Sequence, residues 1–489
     1  MSFLSWFTRI FLGGATKAAP RKAERTREAP AATTKTPEPP SSQDTNERGE
    51  SAPVPTMVED GVVAPVRHSD PSKVRVLLST FGRDRDGKFT ARFAETLRSA
   101  NVIDIEEIDD APSPPSRHLT TKQALALFGE AAGRLARGDA DLLIIGSISS
   151  AGLQLYFLPP QLPLEGRPEA FGLGDSLLVS PNFDAVTASL IYAGVLAAAL
   201  PGKPDGEQAL APHLIGAAEK AADLLDAPID DENEGFLATL MTFLAVVSAQ
   251  RWRLSGKQAG LEISVRAFRR AIADGPKEIS PLVLSELKIR LAAALKELAV
   301  RNEDLHLYEE AADVLEGFVD VLNRTTHKRE WALVYRGLGE VLLARAKMKS
   351  EAGDCANAVK AFDAALQVFT KDADRPRWVD VTNLRAGALM LWGSLEAGTA
   401  ELDQAVQSYR DVLGERNRDV TPLVWAQASG SLGAAAFALA KRSRNADLLR
   451  ESATCFDGAL AVYQQHGQSK AAEVMQKNIQ RVERLQATL

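Results

Sequence analysis

At 489 residues, with 45% hydrophobic and 25% charged side chains, the chain can bury the cores of two or three folded units. A formal net charge of -7 gives no overall attraction to a phosphate backbone, so nucleic acid is not an expected partner. The two cysteines, Cys355 and Cys455, fall at different phases of the repeat described below, which argues against a disulfide, and the six histidines form no HExxH motif or His/Cys cluster at metal-ligand spacing.

Phe3, Trp6, Phe7, Ile10 and Phe11 fall at i, i+3, i+4, i+7 and i+8, one apolar stripe on a short helix over residues 1–14. Gly13 and Gly14 end it, and Lys17, Arg21, Lys22, Arg25 and Arg27 follow against Glu24 alone. Its eleven or so helical residues rise roughly 16 Å, about half the hydrocarbon thickness, so the segment cannot span a bilayer but can lie in the plane of an anionic one. The pattern predicts a peripheral anchor that holds a cytoplasmic protein at the inner membrane. The rival reading is a secretory signal peptide cleaved near Ala15 to Ala19, with the folded part exported to the periplasm as a cell-envelope assembly protein. Arg9 interrupts the apolar core such a peptide needs. A third reading is a disordered or partner-docking end. Residues 15–70 are Pro, Ala, Thr, Ser and Glu with almost no large apolar side chains, a composition that predicts a disordered tether.

From residue 71 to 202 the pattern becomes that of a small mixed α/β domain. Val74 to Phe81 reads as a strand, Lys88 to Ala100 as a helix, Asn101 to Ile108 as an alternating strand, and Thr120 to Arg137 as a helix capped by threonine and stopped by Gly138. Leu142 to Ile148 and Leu153 to Leu158 are strands about a turn at Ser149 to Gly152, a further strand is placed near Ser176 to Val179, and Phe183 to Leu200 is a very apolar helix. Gly82-x-x-x-x-Gly87-Lys88, after a strand and before a helix, copies most of a phosphate-binding loop. Phe89 stands where Ser or Thr should hold magnesium, however, and Asp84 and Asp86 place negative charge where phosphate would sit. The segment is therefore read as an ordinary strand-to-helix loop, with nucleotide binding a remote alternative. Val76-Leu77-Leu78, Gly82 to Asp86, Phe93 to Leu97, Ile145-Gly146-Ser147-Ile148 and Phe183 to Leu200 together resemble the amino-terminal domain of the translocation protein TolB, over roughly Lys73 to Leu200. Ser79-Thr80-Phe81 replaces the family's Pro-Phe, and Pro159 to Gly174 is unusually long. The resemblance implies a noncatalytic recognition domain without a cofactor.

Residues 203–230 are read as a bridging segment, helical over Glu207 to Leu225. Beyond it, Trp331, Trp378 and Trp425 are separated by 47 residues each, and the same step links Phe268, Leu315, Phe362, Tyr409 and Phe456. It links Leu244-Ala245, Leu291-Ala292, Leu338-Gly339, Arg385-Ala386 and Leu432-Gly433 as well, where a small residue lets two helices approach closely. The spacing predicts five helical hairpins over 231–467 and a capping helix over 468–489 with Ala472, Met475, Ile479, Val482 and Leu485 on one stripe. Ala358, Phe362 and Ala365 carry the small-large-small spacing of the tetratricopeptide repeat, and the array resembles the long bacterial variety of that family. Its excess over the usual 34 residues is expected to go into longer helices and a looser hinge, as at Ser350 to Asp354. The fold class is then α+β, a small TolB-like domain followed by an all-α solenoid.

Residues at the repeat phases are packing positions, so binding is expected on the polar positions between them. With Gly339 at the small position, the concave surface should include Arg336, Glu340, Asp380, Asn383 and Gln427, with Glu286 and Lys296 earlier in the array. The Lys/Asn/Arg clamp with which tetratricopeptide proteins hold chaperone tails is not evident among them. The expected function is a protein-interaction scaffold with protein partners on the solenoid and an anionic membrane surface at the amino terminus. No catalytic residue, cofactor or metal is expected.

Overall fold

The computed structural model describes residues 70–98, 101–109, 111–114, 119–226, 234–273, 275 and 279–488. The apolar stripe from Phe3 to Phe11 and the tether through residue 69 lie outside them.

Five strands form one mixed sheet: β1 (Val74–Ser79), β2 (Ile103–Ile108), β3 (Leu142–Ser149), β4 (Gly152–Leu158) and β5 (Leu177–Val179), in the order β2-β1-β3-β4-β5. β1 runs parallel to β2 and β3 because a helix returns the chain each time, α1 (Lys88–Arg98) and then α2 (Thr121–Gly138). β3 and β4 are antiparallel across a tight turn in which Ser149 pairs with Gly152. Gly152 sits at φ +131, and a Cβ there would lie 2.6 Å from the Val179 carbonyl oxygen, so the turn admits only glycine without a shift of β5.

Alternation along the strands sends two apolar sets to opposite faces. Val76, Leu78, Ile144, Leu155 and Phe157 meet α1 and α3 (Ala185–Ala199), whereas Leu77, Leu143, Ile145, Tyr156 and Leu158 meet α2. Both faces are covered, which is why β3 reads as an unbroken apolar run. At the start of β3 the buried Asp141 carboxylate accepts from Lys203 Nζ at 2.8 Å and from the Arg75 backbone N–H at 2.9 Å.

After α4 (Glu207–Ala221), five hairpins follow: α5–α6 (Glu234–Ser255, Gln258–Ala273), α7–α8 (Pro281–Asn302, Leu305–Val319), α9–α10 (Lys328–Lys349, Ala352–Leu366), α11–α12 (Arg375–Leu395, Ala400–Gly414) and α13–α14 (Pro422–Ser443, Ala446–Gln465). The first helices begin at 234, 281, 328, 375 and 422, a constant step of 47. α15 (Ser469–Gln486) closes the array with Ala472, Met475 and Val482 buried. The fold is therefore α+β, a small mixed sheet with helices followed by a solenoid of helical hairpins. One apolar core runs without a break from the sheet through α3 and α4 into the hairpins.

Inside each hairpin the small residue of the first helix receives the large residue of the second. A Cβ on Gly339 would lie 2.5 Å from the Phe362 ring and one on Gly433 3.0 Å from the Phe456 ring, so these helices touch at van der Waals distance only because glycine is there. The hinge differs from expectation. Only residues 350 and 351 separate α9 from α10, with Ser350 left-handed at φ 55, and Gly256, Glu303 and Arg444 hold the same conformation at the corresponding hinges. At these four hinges one left-handed residue ends the first helix and turns the chain at once, whereas α11 ends at an extended Glu396 and residues 396–399 lead to α12. The extra length lies mainly in first helices of 21 or 22 residues and in the connections between hairpins.

Two segments, Ala185–Gly202 and Pro422–Ser443, are long and apolar enough to cross a membrane by length and composition alone. They are 61% and 67% buried inside the fold, as core helices are.

Candidate functional site

The face lined by the first helices of the hairpins, which is the face expected to be concave, is partly covered by the chain itself. Residues 159–176, between β4 and β5, leave the sheet without regular structure and lie along α7, α9 and the start of α11. The carboxyl end of this loop is the more buried. Phe171 packs between Phe157 and Phe243, with ring centroids 6.4 and 4.6 Å away. Glu286 of α7 accepts the backbone N–H groups of Leu173 at 2.9 Å and Gly174 at 3.2 Å. A side chain on Gly172 would collide with Glu286, and a Cβ on Gly174 would lie 2.6 Å from Val283, so the two glycines are what let the loop backbone reach the helix. Asp175 pairs with Arg290 of α7 at 2.5 and 2.8 Å, with the two side chains 2% and 3% exposed.

The Arg290 guanidinium is bonded to Asp175, and the half-buried Glu286 feels its charge without a side-chain bond to it. Burial, and then the Asp175 charge, push the Glu286 carboxyl up to about 7 against the opposing pull of Arg290.

Further along the loop, Glu165 is the second point of attachment. Arg377 of α11 donates to its two carboxylate oxygens at 2.7 and 3.0 Å, and Arg329 of α9 donates to it as well. Burial would raise the Glu165 carboxyl, but the Arg377 hydrogen bonds and the charges of Arg329, Arg377 and Arg336 outweigh it and hold it below the ordinary carboxylate range. Across the domain boundary, Thr121 at the start of α2 also donates to Glu330 of α9.

Arg336, Glu340 and Asp380, expected on the concave face, come together in one ionic chain. Arg336 Nε donates to Asp380 at 2.7 Å and its Nη2 lies 3.5 Å from Glu340, which in turn accepts from Lys296 Nζ at 2.9 Å. Burial works against the Glu340 charge, yet Lys296 and Arg336 bring its carboxyl down to about 2. Lys347, beside Lys296, goes the other way and is pushed down to about 7 by burial and by that neighbour. Asn383 and Gln427 lie one repeat beyond Arg336 and Asp380, half-buried, with no side-chain hydrogen bond among the described residues. Periodicity did not point to Glu165, Asp175, Arg290, Arg329 or Arg377. The one signal of the loop was the unusual length of Pro159 to Gly174.

At the glycine-lysine motif after β1, the Asp84 carboxylate accepts both the backbone N–H and the hydroxyl of Thr90 at 2.8 Å. It therefore occupies the α1 amino terminus, where a phosphate would bind. Lys88 pairs with Asp86 at 3.0 Å, both well exposed. Among the described residues no group of His, Cys, Asp and Glu could hold a metal ion, and Cys355 and Cys455 are buried free thiols. No protein-family model matches the chain, and no curated protein matches it significantly in sequence.

Proposed function

We propose that this chain is a noncatalytic scaffold, a tetratricopeptide-type solenoid whose concave face takes extended peptide segments, joined to a docking domain of the TolB amino-terminal type. One observation carries the reading: the concave face already grips irregular backbone, through Glu286 on two N–H groups and arginines on Asp175 and Glu165. Helical solenoids use extended concave surfaces in this way, and peptide recognition commonly combines backbone bonds with charged anchors. The small-on-large seams at Gly339–Phe362 and Gly433–Phe456 support the tetratricopeptide assignment, and the strand and helix order through α3 supports the other. Asp84 at the α1 amino terminus speaks against the nucleotide alternative. The amphipathic stripe from Phe3 to Phe11 supports a place at the inner membrane surface, with export to the periplasm as the other location.

The reading is tested by placing a photo-crosslinking residue at Asn383 or Gln427 in cells that express the chain. A scaffold yields crosslinks to another polypeptide from these sites. No crosslink from either, together with ATP turnover by the purified chain that is lost in Lys88→Ala, would overturn it.

A further inference from the structure

The loop on the concave face is held unequally along its length. Phe171 is wedged among aromatic rings, and Leu173 to Asp175 makes part-buried hydrogen bonds to α7 together with the Asp175–Arg290 pair, whose side chains are 2% and 3% exposed. Pro160 to Ala170 instead leaves Leu162 and Leu164 46% and 38% exposed, and a cavity of about 30 Å³ remains between this stretch and Ile289, Leu333 and Arg336. Its grip on the solenoid is the Glu165 carboxylate and, at its last residue, the Ala170 carbonyl, which accepts from Arg290 Nη1 at 3.2 Å. Irregular segments this long are uncommon in compact folds and usually functional.

The solenoid side is built for more than the loop supplies. Arg329, Arg336 and Arg377 all act on Glu165, and Arg329 Nη1, buried there, makes no hydrogen bond and has the Glu330 carboxylate 3.9 Å away. An unsatisfied buried donor beside a bound carboxylate leaves room for a further acceptor. Were the stretch to lift, Arg329 and Arg377 would lose Glu165 and keep only Glu330 and Asp374 as partners among the described residues, and Ile289, Leu333 and Arg336 would be uncovered beside them. That combination of cations and apolar surface suits an acidic peptide in extended form.

We infer that Pro160 to Ala170 is a displaceable internal occupant of a peptide site, and that the site's external ligand is an extended segment of a partner protein that presents a side-chain carboxylate to Arg329 and Arg377 with a leucine-like residue before it. The inference rests on the scaffold reading and adds to it the partner's chemistry and a competitor in the same chain. Because the occupant competes, affinity for the partner segment is reduced by the fraction of molecules in which the stretch is lifted. Phe171 to Asp175 stays in place throughout and keeps the displaced stretch tethered.

The test uses the full chain and a fluorescein-labelled peptide of residues 160–170 as probe, read by fluorescence polarisation. Glu165→Ala withdraws the internal carboxylate and leaves the arginines, so the probe should bind about tenfold more tightly than to the unaltered chain or better. Adding Arg377→Ala should return binding to background, and a probe with glutamine in place of its central glutamate should fail to bind. Saturating probe should also speed amide exchange at Ala170 of the unaltered chain, whose N–H is held by the Arg167 carbonyl, while Leu173 and Gly174 stay protected. Circular dichroism establishes folding, and Glu165→Gln replaces Glu165→Ala should the latter not fold. Equal affinity of folded Glu165→Ala and the unaltered chain, or equal binding of the glutamine probe, overturns the inference. So does displacement of the probe by equimolar inorganic phosphate, which would mark a simple anion site. Should the probe fail while Asn383 and Gln427 still crosslink to a partner, the internal-occupant inference falls and the scaffold reading stands.

Discussion

The seam inside each hairpin and the concave face of the array follow different rules. Along the seam one arrangement recurs at a step of 47, with Phe268, Phe362 and Phe456 at equivalent positions and all 2% exposed or less. On the concave face each repeat is individual: the positions equivalent to Arg290 are Gly337, Leu384 and Ser431, and those equivalent to Glu286 are Leu333, Asp380 and Gln427. A seam is an interaction of each repeat with itself, so any change in it is repeated in effect along the array. The concave contacts join the array to one loop of another domain and happen once. Periodicity reports the first kind and is silent on the second.

The largest test of that difference is on the seam. Phe362→Ala removes a fully buried ring from against Gly339 and should cost about 3–5 kcal/mol in denaturant unfolding, with Phe268→Ala and Phe456→Ala alike. A threefold spread among these equivalent sites would break the claim that the seams are uniform. Next comes the singular contact. Arg290→Leu strands Asp175 and Glu286 without their buried cation and should cost about 3 kcal/mol, whereas the pair Arg290→Leu with Asp175→Leu should cost less than either change alone. A double change as costly as the two singles added would show that the pair is not coupled.

The legible part of the molecule is what short-range pattern encodes. Lys88–Arg98 and Leu153 to Leu158 lie where apolar spacing puts them, and even the short β5 follows from Leu177, Leu178 and Val179 among polar neighbours. The first helices start at the repeat step because capping, seam and hinge residues share it. Arg336, Glu340 and Asp380 could be grouped on one face of the first helices by phase, and they meet in one ionic chain. What phase arithmetic lacks is the occupant of that face. Glu165 is 164 residues from Arg329 and 212 from Arg377 along the chain, and no local pattern connects them. The hinge at Ser350 failed for the opposite reason: a left-handed turn needs one residue, and a non-glycine residue gives little notice that it adopts one.

A smaller effect separates the two ends of the loop by pH. The Glu286 carboxyl rises to about 7 when the loop is docked, so docking binds a proton that the open form releases near the ordinary carboxylate value. The stabilisation is whole below that ordinary value, falls as pH climbs toward 7, and is gone above it. Exchange protection at Leu173 and Gly174, corrected for intrinsic rate, should therefore drop about tenfold between pH 5 and 8. Glu286→Gln, which keeps an acceptor and carries no charge, should flatten that profile. Glu165 is shifted in the other direction, its carboxyl held low by arginine, so Ala170, whose N–H is held by the Arg167 carbonyl, should show no loss over the same range. Parallel pH profiles at both ends would mean that the loop opens as one unit.

The smallest effect returns to the tryptophans whose spacing exposes the repeat. Each carries a cation over its ring: Arg324 over Trp331 at 4.7 Å, Lys371 over Trp378 at 5.4 Å and Arg418 over Trp425 at 5.0 Å. The cations themselves fall at the step of 47 and sit on the connections between hairpins, so each stack ties a connection to the helix that follows it. Lys371 also pairs with Glu415 at 2.6 Å, and at 49% exposure its charge is well screened. Lys371→Ala should then cost about 0.5–1 kcal/mol, near the value for an exposed cation–π contact. Combining it with Arg324→Ala and Arg418→Ala should give close to the sum of the single losses in denaturant unfolding, since the three stacks share no partner. A combined loss far above that sum would show that the connections cooperate, and the stacks would then belong with the seams as part of what joins one repeat to the next.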